Sequence, residues 1–378
     1  MAKDRIKEFI LESLQKYDEL PVISFSGGKD SCVLRHLVRS IPEGRKCKCV
    51  TSAELFHPQT FSFIQKTKIE GDVIFGFRKP FNKIISENGY PMISKMLAQK
   101  IWHVRNTNNP STYVRAAFGL DGKTFGKIGH KYIHFLDKGF VRYEISHRCC
   151  DYIKGEVKHC KSPCFIGTTI SESRLRKNSW IKNGCNFFNN EFQKAMSRPL
   201  SLWDEQDIWR YIIDNNVEVS PIYGLEMSDD YENGYKLNGY KRSGCSVCMF
   251  GLSLENEISK RTKGKVKNRF ELLFDTSRSV YERYMHERKY AFWKPLTDMG
   301  IHLNVDDNKY ERKYKNRLKE LKVWYFHAKA NINHILDELE LRYSKSPKKS
   351  LTKQTLFSKS DRDHIVQAYS QKDVYGKI

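Results

Sequence analysis

The chain reads Leu20-Pro21-Val22-Ile23-Ser24-Phe25-Ser26-Gly27-Gly28-Lys29-Asp30-Ser31-Cys32-Val33-Leu34 near its start. The apolar run at 20–25 predicts a buried strand and residues 32–38 predict a helix, so a strand turns into a helix across residues 26–31. Two glycines let the backbone approach an anion closely, and the helix start offers unpaired N–H groups. Lys29 adds a cation, and Ser26 and Ser31 add hydroxyls. The pattern is a phosphate cradle. It is not GxxxxGK[ST], because only two glycines precede the lysine and Asp30 follows it. A Gly-Gly pair between strand and helix also serves as an ordinary tight turn, but the whole hexapeptide in this setting favours an anion site.

Working outward, Ile6, Phe9, Ile10 and Leu14 recur at helical spacing before the first strand. Residues 48–52, 72–77 and 165–169 read as further strands with helical segments between them. Such alternation implies an α/β fold: a doubly wound, mostly parallel sheet covered on both faces, with ligands outside the carboxyl ends of its strands. Residues 103–145 are rich in glycine and aromatics without clear periodicity, which reads as a lid-like insertion. From about 255 the chain becomes charged and helical, and residues 260–269 hold six basic side chains in ten. Residues 344–350 read as a linker before a loosely held tail. The expected division is therefore 1–254 for the α/β domain, 255–343 for a basic helical extension and 344–378 for linker and tail.

The 378 residues carry 66 Lys and Arg against 44 Asp and Glu, a net charge of +22, with 13% aromatics. That balance fits a partner bearing phosphates, and the basic run near Phe270, Tyr281, Tyr284 and Trp293 fits a nucleic-acid backbone; a solvated face is the plainer alternative. No apolar stretch reaches the roughly 18 residues that cross a bilayer, and the first residues lack a signal-peptide core, so a cytoplasmic protein without membrane contact is expected. In a reducing compartment the ten cysteines point to metal or sulfur chemistry rather than disulfides. Cys149-Cys150 and the CxxC of Cys245 and Cys248 together offer four thiolates, a set suited to an iron–sulfur cluster or zinc.

Several segments resemble the phosphoadenylyl-sulfate (PAPS) reductase family, within the N-type ATP pyrophosphatase (PP-loop) superfamily. The 26–31 loop is similar to that superfamily's pyrophosphate loop. The stretch 51–60, with Phe56-His57-Pro58, is similar to the segment after the family's second strand. Gly89-Tyr90-Pro91 with Ser94-Lys95 resembles "G.P..SK", and Arg198-Pro199-Leu200 with Trp203, Asp207, Ile208 and Trp209 resembles "RPL..W...DVW". Residues 166–176 are like the "IG.R..ES..R" element that borders the nucleotide. The resemblance implies an adenine nucleotide alpha-hydrolase-like fold. It also implies ATP or an adenylyl sulfate held by Ser26, Gly27, Gly28, Lys29, Asp30, Ser31, Arg174 and Arg176, with Lys29 and Asp30 as catalytic residues and Mg²⁺ assisting. Iron–sulfur adenylyl-sulfate reductases bind their cluster through a Cys-Cys and a later CxxC, which implies a [4Fe-4S] cluster on Cys149, Cys150, Cys245 and Cys248. Two departures stand out. Ala53 replaces the family's glycine, and Cys248 is the last cysteine, so the C-terminal cysteine with which those reductases attack the sulfate sulfur is missing; Cys32, Cys160, Cys164 and Cys185 are the candidates to replace it.

Three functions follow as expectations. The leading one is an adenine-nucleotide enzyme that activates an acceptor, nucleic acid above others, with pyrophosphate release for sulfur insertion from a sulfur-donor protein. The second is a reductase releasing sulfite from an adenylyl sulfate with thioredoxin. The third is a nucleotide-sensing module without turnover. His57 is a ribose or phosphate ligand or a packed side chain. Because Arg174 and Arg176 sit two apart, a strand would give them similar directions and a helix divergent ones; the expectation is that one reaches the anion and the other stays solvated.

Overall fold

Strand β1 (Val22–Ser24) runs parallel to both of its neighbours, β2 (Cys49–Ser52) on one side and β4 (Cys164–Ile166) on the other. The fold is described from a computed structural model over residues 1–52, 57–75, 81–90, 95–106, 110–120, 127–138, 144–153, 162–189, 194–240, 242–245, 332–344 and 356–370. Strand β3 (Val73–Phe75) extends the sheet beyond β2, and β6 (Lys194–Ser197) and β5 (Asn186–Asn189) extend it beyond β4, giving the order β3-β2-β1-β4-β6-β5. All pairs are parallel except β5 with β6. The α/β class and mostly parallel sheet expected from the sequence are present. The fourth strand is shifted, since it begins at Cys164 and the chain leaves the sheet at Gly167. Strands β5 and β6, and a hairpin of β7 (Leu225–Met227) with β8 (Tyr235–Leu237), were not expected.

The first helix, α1 (Ala2–Tyr17), buries Ile6, Phe9 and Ile10 on one face, and the Phe9 ring lies edge-on to Phe165 of β4 at 5.0 Å. Helix α2 (Lys29–Arg39) buries Cys32, Val33, Leu34, Leu37 and Val38. Spacings of three and four residues place these groups on one stripe of each helix. Trp209 and Ile212 do the same on the helix Glu205–Asp214, whose start is closed by a capping box in which Asp204 and Asp207 each accept the other's amide hydrogen.

Chain contacts divide the protein into two compact units, Met1–Pro80 with Cys150–Met285, and Phe81–Cys149 with His286–Ile378. This differs from the three consecutive segments expected, because the second unit draws on two distant stretches. It contains the helices α4 (Phe81–Asn88), α5 (Lys95–Asn106) and α6 (Pro110–Phe118), a 3-10 turn at His130–Leu136, and two late helices, Ile332–Ser344 and Lys359–Ser370. Arg342 donates to the Val104 carbonyl at 2.7 Å, Arg115 pairs with Asp361 at 2.8 Å, and Phe118 meets Phe357 edge-on. Much of the supposed lid is therefore helical, and part of the supposed tail is a packed helix. Local periodicity missed both because their partners lie more than two hundred residues away, as Phe118 and Phe357 do. The basic run 260–269 lies outside the described residues.

Asp72 holds β2 in place in the first unit. Its Oδ1 accepts from Arg39 Nη2 and from the Cys49 amide, both at 2.7 Å, and its Oδ2 accepts from the Ile69 amide at 3.1 Å. The carboxyl is 6% exposed and Arg39 is mostly covered. Removing one partner of such a pair strands the other charge, so Asp72→Ala is expected to cost about 3–5 kcal/mol. Urea unfolding should show a lowered midpoint with an unchanged slope.

Candidate functional site

The order of the strands reverses direction at β1. Strands β2 and β3 follow on one side and β4 and β6 on the other, so the loops leaving β1 and β4 diverge and open a crevice at the carboxyl edge. The loop leaving β1 is residues 26–31. Gly27 has φ +68°, in the left-handed region, and a Cβ there would lie 2.9 Å from Thr60 Cγ2 and 3.0 Å from Ile64. Gly28 is the N-cap of α2 and, as a glycine, offers no side chain of its own to cap that helix start. The first-turn amides are thus left to other acceptors, which is the property that suits an anion.

Hydroxyls brace the loop from within. Ser31 Oγ donates to the Gly28 carbonyl at 2.8 Å and lies 3.3 Å from Ser26 Oγ. Tyr223 braces it from outside, accepting the Lys29 amide hydrogen at 2.9 Å. Burial pushes the Tyr223 phenol well up from its ordinary value, so it remains a neutral hydroxyl. Lys29 Nζ lies 3.4 Å from the Asp30 carboxylate and 3.8 Å from Glu205. Both distances exceed those of strong charge-assisted bonds, so the ammonium is guided rather than locked.

The loop leaving β4 forms the other wall. A Cβ on Gly167 would lie 2.9 Å from the Asp30 carbonyl oxygen, so only glycine lets the two loops close up. Thr169 and Glu172 form a capping box on the short turn that follows. Arg174 and Arg176 then open α8 (Arg174–Asn183), with Ser173 as its cap. Being helical, the two arginines diverge as expected for that geometry. Arg176 pairs with Glu172 and feels the Asp30 carboxylate, while burial, Arg242 and Arg198 hold its pKa below the usual arginine range. Arg176 stands near enough to the loop to feel the Asp30 charge while its side chain stays 42% exposed, and Arg174 is exposed in another direction. Arg198 is occupied elsewhere, donating to Ser179 Oγ at 2.9 Å.

The second cysteine element also reaches the loop. Ser243 Oγ sits 2.9 Å from where a Cβ on Gly28 would be and shares a hydrogen bond with the Tyr223 hydroxyl, so Cys245 follows only two residues after a loop contact. Cys149 and Cys150 open the short helix Cys149–Ile153, with Cys149 buried and Cys150 half-buried. Cys248 lies outside the described residues, as does Cys160. Soft thiolates remain the right donor type for an iron–sulfur cluster or zinc. Among the described residues, the group with metal-ligand spacing is a different one, Asp137, His334 and Glu338 in the second unit.

Other sequence candidates fall into place. His57 is 1% exposed, with its ring 6.3 Å from Tyr240, which is a packed position. Ala53, Pro91 and Ser94 lie outside the described residues. Cys32 directly behind the loop is fully buried, and burial pushes its thiol up from 9.0 to about 12. Cys47 and Cys49 are raised to about 12 for the same reason. Cys32 is therefore a packing residue rather than a nucleophile. Tyr223, Ser243 and Glu205 carried no sequence signal for this site, although Gly167 directly after a strand was a visible one.

Residues 102–250 match the family described as "Phosphoadenosine phosphosulfate reductase domain". Over that stretch, about two-fifths of its length, the chain is similar to the PAPS reductase family. The matched stretch includes β4, Arg174, Arg176, Tyr223 and all four cysteines of the proposed ligand set, and it begins after the 26–31 loop. Among solved structures, a PAPS reductase from Candida auris in a phosphate complex is similar at 12% identity, covering 60% of this chain and 88% of that one with a TM-score of 0.30. No curated protein matches the chain. No helix among the described residues is long and apolar enough to cross a membrane.

Two outcomes test this geometry. Gly27→Ala forces a side chain into left-handed backbone at about 1–2 kcal/mol, and it is expected to lower the melting temperature and to abolish pyrophosphate binding measured by calorimetry. Iodoacetamide at pH 8 should leave Cys32, Cys47 and Cys49 unmodified in the native chain, as read by peptide mass mapping. The same thiols keep their protons when folded between pH 9.0 and about 12, where the unfolded chain loses them, so stability falls as pH rises through that window.

Proposed function

We propose that the chain is an adenine-nucleotide enzyme of sulfur transfer, which binds ATP at residues 26–31 and adenylates an acceptor, with nucleic acid the favoured one. The observation that carries this reading is a helix start with glycine at its N-cap, a second glycine beside it and Lys29 as its first residue, placed where the strand order reverses. In the reaction an acceptor oxygen attacks the α-phosphorus, the bond to the bridging oxygen of the β-phosphate breaks, and pyrophosphate leaves. Lys29 and the first-turn amides hold the terminal phosphates and stabilise the charge that builds on the leaving group. Ser26 and Ser31 donate to phosphate oxygens, Arg176 neutralises charge from the opposite wall, and Asp30 orients the loop. Mg²⁺, when bound, adds charge neutralisation. A sulfur nucleophile delivered by a donor protein then displaces AMP from the activated atom.

Cys149, Cys150, Cys245 and Cys248 are the residues that would hold a [4Fe-4S] cluster, or zinc, and such a group would anchor sulfur or supply electrons. Net charge of +22 supports an anionic acceptor.

The second reading is a reductase acting on an adenylyl sulfate, which the family match favours. It requires a thiol that attacks sulfur. Cys32, Cys47 and Cys49 are too buried to serve, which leaves the half-buried Cys164 and Cys185 as the described candidates.

Lys29→Ala is expected to lower nucleic-acid-stimulated pyrophosphate release by about 10²–10³-fold, the usual effect of deleting one oxyanion-stabilising group. Unchanged release would remove the proposal. Sulfite formed from adenylyl sulfate by the same preparation, with no pyrophosphate from ATP, would establish the reductase instead.

A further inference from the structure

Helix α8 has no residue in the core. At 100° per residue, Arg176, Ser179 and Trp180 share the face turned to the fold: Ser179 accepts from Arg198, and the Trp180 indole donates to Cys185 Sγ at 3.3 Å. The opposite face carries Arg174, Leu175, Lys177, Asn178, Ile181 and Lys182, all exposed. Leu175 is 81% and Ile181 66% exposed, unusual for large apolar side chains. No Asp or Glu occurs from 173 to 190, while four Lys or Arg do. A ten-residue helix with neither a buried stripe nor compensating acids gains little from folding alone. Its position is equally specific, because it starts from the loop leaving β4, the wall of the crevice that faces Asp30.

We propose that the outward face of α8 is a docking surface for single-stranded nucleic acid, guiding the strand to the crevice. The proposal rests on the acceptor reading above and assigns it a surface. Arg174, Lys177 and Lys182 neutralise successive phosphates, and Leu175 and Ile181 lie against sugars and unstacked bases, the use that wedging apolar residues have in nucleic-acid binding. Charge complementarity selects this occupant. A bilayer is disfavoured, because Leu175 and Ile181 are about 120° apart around the helix and form no single apolar stripe.

The test uses the full chain and fluorescein-labelled single-stranded DNA and RNA on the order of 20 nucleotides long, with anisotropy followed across a salt series. Lys177→Glu/Lys182→Glu is expected to weaken binding by about tenfold or more and to lower the slope of log affinity against log salt by about 2. Lys3→Glu/Lys7→Glu, the same charge change on exposed positions of α1, should leave both nearly unchanged. If the reversal shifts thermal melting, Lys177→Gln/Lys182→Gln is read in its place, with half the slope change or more. Equal losses in the two double variants would mean diffuse attraction and overturn the proposal, as would unchanged binding in the α8 variant. Loss of phosphatidylserine-vesicle co-sedimentation in the α8 variant, with oligonucleotide binding intact, would overturn it in favour of a membrane. Pyrophosphate release stimulated by nucleic acid and untouched by the α8 variant sinks this surface but keeps the acceptor reading. Oligonucleotide binding that depends on α8 without any pyrophosphate release keeps the surface and sinks the acceptor reading.

Discussion

Parallel pairing of β1 with β2 on one side and β4 on the other is the constraint from which the site follows. Parallel neighbours cannot be joined by tight turns, so each strand hands the chain to a helix that must cross a face of the sheet. At β1 the crossings go opposite ways, and the two departing loops separate. Everything placed at the crevice is a consequence: a helix start with glycine at its N-cap on one wall, and the turn carrying Thr169, Glu172 and Arg176 on the other.

The crevice is also narrow by construction. Gly167 lets the second loop approach the backbone of Asp30, and Gly28 lets Ser243 approach the first. A glycine at each contact replaces a side chain with bare backbone, which is what close approach to a phosphate also needs. Tyr223 completes the bracing from a segment nearly two hundred residues later, taking the Lys29 amide that an α-helix leaves without an intrahelical acceptor. The charges are arranged with less restraint than the backbone. Lys29 sits at long distances from two carboxylates, and Arg176 is held by Glu172 within reach of Asp30, so cations meet at the site already partnered but not tightly bound.

The thiols divide into two populations by environment. Those of Cys32, Cys47 and Cys49 are sealed in the core, where ionisation is costly, and serve as small apolar groups. Cys150 and Cys245 are only partly covered, and Cys245 follows Ser243 at the loop. Only the second population is open enough to solvent to react or to ligate.

By itself the sequence determined the local elements whose signal is short-range. Residues 20–38 announce strand, anion loop and helix because apolar runs and a Gly-Gly break act on near neighbours, and the alternation that followed was enough for a parallel α/β sheet. Residue spacing leaves the directions of Arg174 and Arg176 open between strand and helix, and the helix Arg174–Asn183 decides that they diverge. Tertiary structure alone decided what depends on distant partners. The role of Tyr223 comes from a hydroxyl meeting a backbone amide, which leaves no trace in residue spacing. The second unit arises because helices near 100–118 find partners beyond residue 332, a pairing that neither stretch announces when read alone. The solvent-facing cations of α8 became distinguishable from its fold-facing arginine only once Arg198, Ser179 and Cys185 had fixed which side of that helix meets the protein.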